Sequence, residues 1–145
     1  MSNERITPDH ITELRPNEVF VFGSNRAGLH AGGAAKTALK WGAIMGEGEG
    51  LHGQTYAIPT LDVENGKIGG PLKPRHIRRA INDLSRFAYS RPDLVFFVTK
   101  IGCGIAGFTP EEIAPMFGLL QFQPNVYLPR EFLEILGHPL EDDHA

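Results

Sequence analysis

Val98-Thr99-Lys100-Ile101-Gly102-Cys103-Gly104-Ile105-Ala106-Gly107-Phe108 is the stretch whose reading decides the fold. Just upstream, Leu94-Val95-Phe96-Phe97-Val98 is apolar at every position and lacks the alternation of a strand with one wet face. Such a run fits a parallel strand covered on both sides, and ligands of open α/β sheets bind beyond the carboxyl ends of such strands. Gly102, Gly104 and Gly107 fall at that end, where backbone without a Cβ lets N–H groups approach an anion. Thr109-Pro110-Glu111-Glu112 then offers a cap, a proline for the first helical position and first-turn acids, predicting a short helix from Pro110 to about Phe117. An ordinary strand-to-helix turn has the same ingredients, so at this point both readings stand.

Glu18-Val19-Phe20-Val21-Phe22 is a second continuous apolar run and stops as abruptly at Gly23-Ser24-Asn25. It predicts a strand adjacent and parallel to the first. Arg26 to Gly33 reads as a flexible loop, and Ala34 to Trp41 as a helix that its alanines bring close to the sheet. Gly42 to Gly53 contains Gly46-Glu47-Gly48-Glu49-Gly50 and is expected to be a mobile surface loop, neither helix nor inner strand. Gln54 to Ile58 is expected to form a third strand stopped by Pro59, with Thr60 to Pro74 as a long connection of the kind that often carries function.

Arg75 to Ser90 places Ile77, Ala80, Ile81, Leu84, Phe87 and Ala88 at helical spacing. Its arginines lie largely on the other face and read as solvated, since no aromatic interleaving accompanies them. A strand at Asn125 to Leu128 and a helix from Pro129 to about Gly137 complete the pattern; Glu141 to Ala145 reads as a frayed tail. Met1 to Pro16 is compatible with a short helix or a strand end. Strands and helices alternate, which predicts an α/β chain over residues 1–145: a single three-layer domain with a largely parallel sheet flanked by helices.

With 145 residues, 41% of them hydrophobic, one such domain accounts for the whole chain. No apolar run approaches the length of a membrane span and no charged-apolar-small leader opens the sequence, so a cytoplasmic protein without a membrane partner is expected. Cys103 is the sole cysteine, which rules out a disulfide within the chain and argues against a cysteine-based zinc site. The histidines show no metal-site spacing either, so neither metal nor cofactor is expected. A net charge of −3 argues against non-specific nucleic-acid binding and leaves a small anionic ligand open; the oligomeric state is open too.

A parallel sheet brings Asn25 to Gly33 and Gly102 to Phe108 to the same rim, and two sets of backbone amide donors suit a diphosphate. Phe22-Gly23-Ser24-Asn25 followed by Ala31-Gly32-Gly33-Ala34-Ala35 resembles the first loop of the macro domains, which bind ADP-ribose and its relatives. That loop is an Asn-Ala-Ala-Asn box followed by a glycine run opening a helix. Ile101 to Phe108 is similar to the family's second loop, a Ser-Thr-Gly-Ile-aromatic-Gly-aromatic stretch that wraps the diphosphate. Asp9-His10-Ile11-Thr12 resembles a Gly-Asp-Ile-Thr segment whose aspartate contacts the adenine amino group. Order and approximate spacing agree across most of the chain, and the compact glycine pattern is also similar to that of uncharacterised phage and bacterial proteins.

The resemblance implies a macro-like fold with ADP-ribose, or a related adenine-nucleotide diphosphate, as the small-molecule partner. It implies that Gly102, Gly104, Ile105, Ala106 and Gly107 line the diphosphate, that Phe108 flanks the distal ribose, and that Asn25 hydrogen-bonds a ribose hydroxyl. Asp9, Gly23, Ser24, Gly32, Gly33 and Cys103 complete the candidate ligand-binding set. The chain departs from the family pattern where Gly23 replaces the first asparagine of the box, where Ala35 stands at a position that is acidic in many hydrolytic members, and in its glycine-rich insertion before the third strand.

His30 and Asn25 are the candidate catalytic residues. His30 reads either as the first loop's titratable base or as a plain exposed loop histidine, and Asn25 orients a hydroxyl without being a base. Little or slow hydrolysis of ADP-ribose conjugates is therefore expected. Two other classes remain: a protein–protein adaptor using apolar loops, and an enzyme with Cys103 as nucleophile.

Overall fold

The computed structural model describes residues 4–140; the tail expected over Glu141 to Ala145 lies outside them. The central strand is β1 (Glu18–Asn25), longer than the sequence suggests because Gly23, Ser24 and Asn25 continue it. Helix α1 (Gly33–Ala38) follows, extended by a 3₁₀ turn over Leu39–Trp41 that Gly42 ends in the left-handed region. Next come β2 (Gly50–His52), β3 (Thr55–Glu64), β4 (Lys67–Pro71) and the long helix α2 (Pro74–Ser90). The last elements are β5 (Val95–Val98), α3 (Pro110–Ile113), two 3₁₀ turns over Ala114–Phe117 and Leu119–Phe122, β6 (Val126–Tyr127) and α4 (Arg130–Ile135).

The sheet runs β2-β3-β1-β5-β6, with β4 also on β3. β1 is parallel to both β3 and β5, β5 is parallel to β6, and only the short β2 and β4 run antiparallel. Residues of β1 alternate between two cores: Val19 and Val21 pack toward α2, α3 and α4, while Phe20 and Phe22 pack toward α1 and Trp41. That is why the run looks uniformly apolar, and it makes the chain a three-layer α/β fold with a mostly parallel sheet.

Three expectations are corrected. Pro59 does not stop its strand. The Phe20 N–H donates to the Gln54 carbonyl, so up to the register shift opposite Ser24 and Asn25 the even-numbered residues of β3 turn toward β1 and the odd-numbered ones, Pro59 included, toward the outer edge. On that edge Ala57 pairs with β2, and beyond the shift the Thr60 carbonyl accepts from the Leu72 N–H at 2.8 Å; Pro59 falls between the two, where its missing N–H forfeits no ladder bond. Thr60 to Pro74 is not an open connection either. It holds the rest of β3, then β4, joined at Asn65-Gly66, both with positive φ (51° and 74°), the two-residue hairpin turn that suits the sheet's twist. Finally, Gly42 to Gly53 is not a free loop, since it contributes β2 and packs on the first loop.

Before β1, the segment around Ile6 adds to the other edge. Ile6 forms a parallel bridge with Leu128, and the Thr7 hydroxyl donates to the Val98 carbonyl at 2.7 Å. Arg5 reaches the carbonyls of Gln121, Gln123 and Val126. None of the described helices is long and apolar enough to cross a membrane.

Candidate functional site

The carboxyl ends of β1 and β5 open into a crevice of about 440 Å³. One wall is Gly23, Ser24, Asn25 and Leu29, continued by Ala31 to Ala35 at the start of α1; the opposite wall is Thr99 to Gly102 and Gly104 to Ala106. Thr60 and Leu61 of β3 form the floor with Ile68 of β4 on the side. Of the lining side chains among the described residues, Lys100 alone carries a charge.

The second loop divides its residues between two jobs. Its internal bonds use the N–H groups of Cys103, Gly107 and Phe108, which donate to the carbonyls of Lys100 (3.2 Å), Gly104 (3.0 Å) and Gly102 (2.9 Å). Cys103 and Phe108 turn their side chains to the core beneath. The N–H groups of Gly102, Gly104, Ile105 and Ala106 donate to no backbone carbonyl among the described residues, and these four line the crevice. Gly102 adopts φ +78°, and a Cβ there would meet Ile113 Cδ1 at 3.1 Å, so the turn needs glycine at that point. Below it, Thr109 caps α3 in a reciprocal box: its hydroxyl accepts from the Glu112 N–H at 3.2 Å, and its own N–H donates to the Glu112 carboxylate at 2.9 Å.

The first loop is braced from inside. The Asn25 carboxamide bonds both backbone groups of Leu29, accepting from its N–H and donating to its carbonyl, each at 3.0 Å. This closes the loop on itself and still leaves Asn25 one N–H and one lone pair for the crevice it lines. The strap Gly46 to Gly50 lies across the loop's other side. The Gly46 N–H donates to the Gly28 carbonyl at 3.0 Å, Ser24 Oγ donates to the Gly48 carbonyl, and His30 Nε2 sits 3.1 Å from the Glu47 carbonyl.

Of the residues expected at the site, the crevice gathers Gly23, Ser24, Asn25, Gly32, Gly33, Gly102, Gly104, Ile105 and Ala106. It does not gather Asp9, His30, Cys103, Gly107 or Phe108. His30 is only 2% exposed, pinned edge-on to Phe22 at 5.3 Å between ring centroids, so it is neither an exposed loop histidine nor a base presented to the crevice. With Nε2 donating to the Glu47 carbonyl, its Nδ1 is left buried without a partner among the described residues. Cys103 is half-buried and burial, followed by the Glu131 charge, pushes its thiol up, the reverse of an activated nucleophile. Asp9 lines a separate cavity of about 720 Å³, which borders the crevice through Thr99 and Lys100.

Thr60, Leu61 and Ile68 enter from the segment expected only as a long connection that often carries function, and Thr99 and Lys100 fall outside the expected site. The signal for the first three was Asn65-Gly66 between apolar runs, the strongest short-range mark of a hairpin.

No protein-family model matches the chain, and no curated protein matches it. A solved structure described as a protein of unknown function from Bacteroides thetaiotaomicron is similar to it with a TM-score of 0.57 and 13% sequence identity, over 81% of this chain and 90% of that one. The likeness is one of fold.

Proposed function

We propose that the protein binds ADP-ribose, or a related adenine-nucleotide diphosphate, in the crevice between the β1 and β5 loops. The observation that carries this reading is the division of labour in the second loop. The amides that hold the turn together belong mainly to residues facing away, whereas the unengaged amides of Gly102, Gly104, Ile105 and Ala106 belong to the crevice wall. Unengaged backbone donors along one wall suit phosphate oxygens, and a nearby ammonium adds charge. The resemblance of both loops to those of macro domains supports the same ligand class, with Asn25 contacting a ribose hydroxyl.

Hydrolysis of ADP-ribose conjugates is at most slow on this reading. Attack at the distal ribose needs a carboxylate or imidazole near the water, and the lining side chains among the described residues supply neither. Titration calorimetry with ADP-ribose and ADP is the test: saturable heat with ADP-ribose is expected. No heat with either nucleotide at high concentration would overturn the reading and favour the adaptor, for which Ile105 (79% exposed) and Ile68 (40%) at the crevice mouth would be the contact residues.

A further inference from the structure

The crevice and the cavity beside it meet along one ridge, made of Thr99 and Lys100, the residues that line both. Thr99 is committed to the sheet, since its hydroxyl and its N–H both donate to the Val21 carbonyl, at 2.8 and 3.1 Å. The Lys100 side chain is 60% exposed, and its ammonium stands 3.3 Å from a Glu131 carboxylate oxygen. Glu131 is on α4 and lines the neighbouring cavity, not the crevice. Among the described residues, the crevice is therefore lined by one cation, whose partner sits on the far side of the ridge.

Taking the nucleotide diphosphate proposed above as the ligand, the geometry points to Lys100 as the residue that selects for phosphate, drawn toward Glu131 in the free protein and transferred to the ligand on binding. An ammonium on a four-carbon stem can exchange one oxygen partner for another without moving the backbone. Glu131 competes weakly, because an ion pair between half-exposed groups contributes little. Phosphate has more to offer, since its oxygens would be held by the adjacent amides while the ammonium makes a charge-assisted bond. Two properties follow: affinity that falls with ionic strength, and affinity that rises when the Glu131 charge is removed.

The experiment is calorimetry with ADP-ribose at low and high salt, on the parent protein, Lys100→Met, Lys100→Arg and Glu131→Gln, with thermal midpoints recorded alongside. Lys100→Met is expected to weaken binding roughly tenfold at low salt and to flatten the salt dependence, as one charge-assisted bond predicts. Lys100→Arg retains most of the affinity. Glu131→Gln strengthens binding about two- to threefold, the worth of a weak exposed pair. Parent protein that binds while Lys100→Met binds equally well, with the same salt slope, overturns the role of Lys100 and leaves the crevice reading intact. Equal weakening by Lys100→Met and Glu131→Gln also overturns it, by making the pair a tie between the second loop and α4. Absence of binding by the parent overturns the crevice reading, and the role of Lys100 falls with it.

Discussion

Glycine does opposite things at Gly104 on the crevice wall and where the Gly46 to Gly50 strap crosses the first loop. In the second loop, a Cβ built on Gly104 meets no heavy atom within 4 Å. Where the strap crosses the first loop, a Cβ on Gly28 would lie 2.3 Å from the Glu47 nitrogen, and one on Gly48 would lie 2.2 Å from the Asn25 carbonyl oxygen. One set of glycines leaves space at a wall, and the other removes space so that two backbones can lock. Glycine content alone therefore does not mark a ligand site; the neighbours of the missing side chain do.

The harshest way to break this comparison is to add a methyl group on the locked side. Gly28→Ala and Gly48→Ala force apart backbone on backbone, and Gly28 also has φ +70°, so each is expected to lose about 3 kcal/mol or more in denaturant unfolding. Wild-type stability in either variant would show that the strap is a loose cover.

Gly104→Val and Gly107→Val sharpen the open side. Position 104 has ordinary φ and free space, so stability should stay within about 0.5 kcal/mol while ADP-ribose affinity drops more than tenfold, because the new side chain stands among the lining amides. Position 107 has equally free space but φ +80°, and valine there should cost about 1–3 kcal/mol from backbone strain. Circular dichroism melts beside calorimetry separate the two: a Gly104→Val protein that unfolds early would assign that glycine to structure as well.

The smallest effect concerns Cys103, which sits in the open loop yet faces the core. Its folded pKa is raised, so alkylation by iodoacetamide near neutral pH should be slower than that of a free cysteine and should keep climbing with pH beyond the ordinary thiol range. The same shift makes the thiol's contribution to stability fully present below its unfolded pKa and lost as pH rises through the folded one. Fast labelling at neutral pH would contradict this packing.

The elements that sequence shows clearly are those whose residues answer to one constraint. The runs at Val19 to Phe22 and Val95 to Val98 are apolar because both faces are covered, and the α2 periodicity records one buried stripe. Both crevice loops could be located for the same reason, since glycines follow each run. Pro59 misled because its tolerance depends on which neighbour is absent at the edge, a fact about β2 and β4 and not about residue 59. His30 and Cys103 misled because side-chain direction inside a loop is set by tertiary packing, here against Phe22 and the α3 side of the core. Lys100 escaped notice because its role as a ridge appears only when two cavities are seen to share it.

The position of β1 has a consequence for how the molecule comes into being. Its two parallel partners, β3 and β5, lie progressively farther along the chain, and the crevice walls stand on β1 and β5. Joining Val21 to Val98 closes a loop of about half the chain, and that closure must be made before those contacts stabilise anything. The crevice has no local precursor: neither wall can preform it, and in a refolding experiment the proposed nucleotide recognition should emerge with the whole sheet.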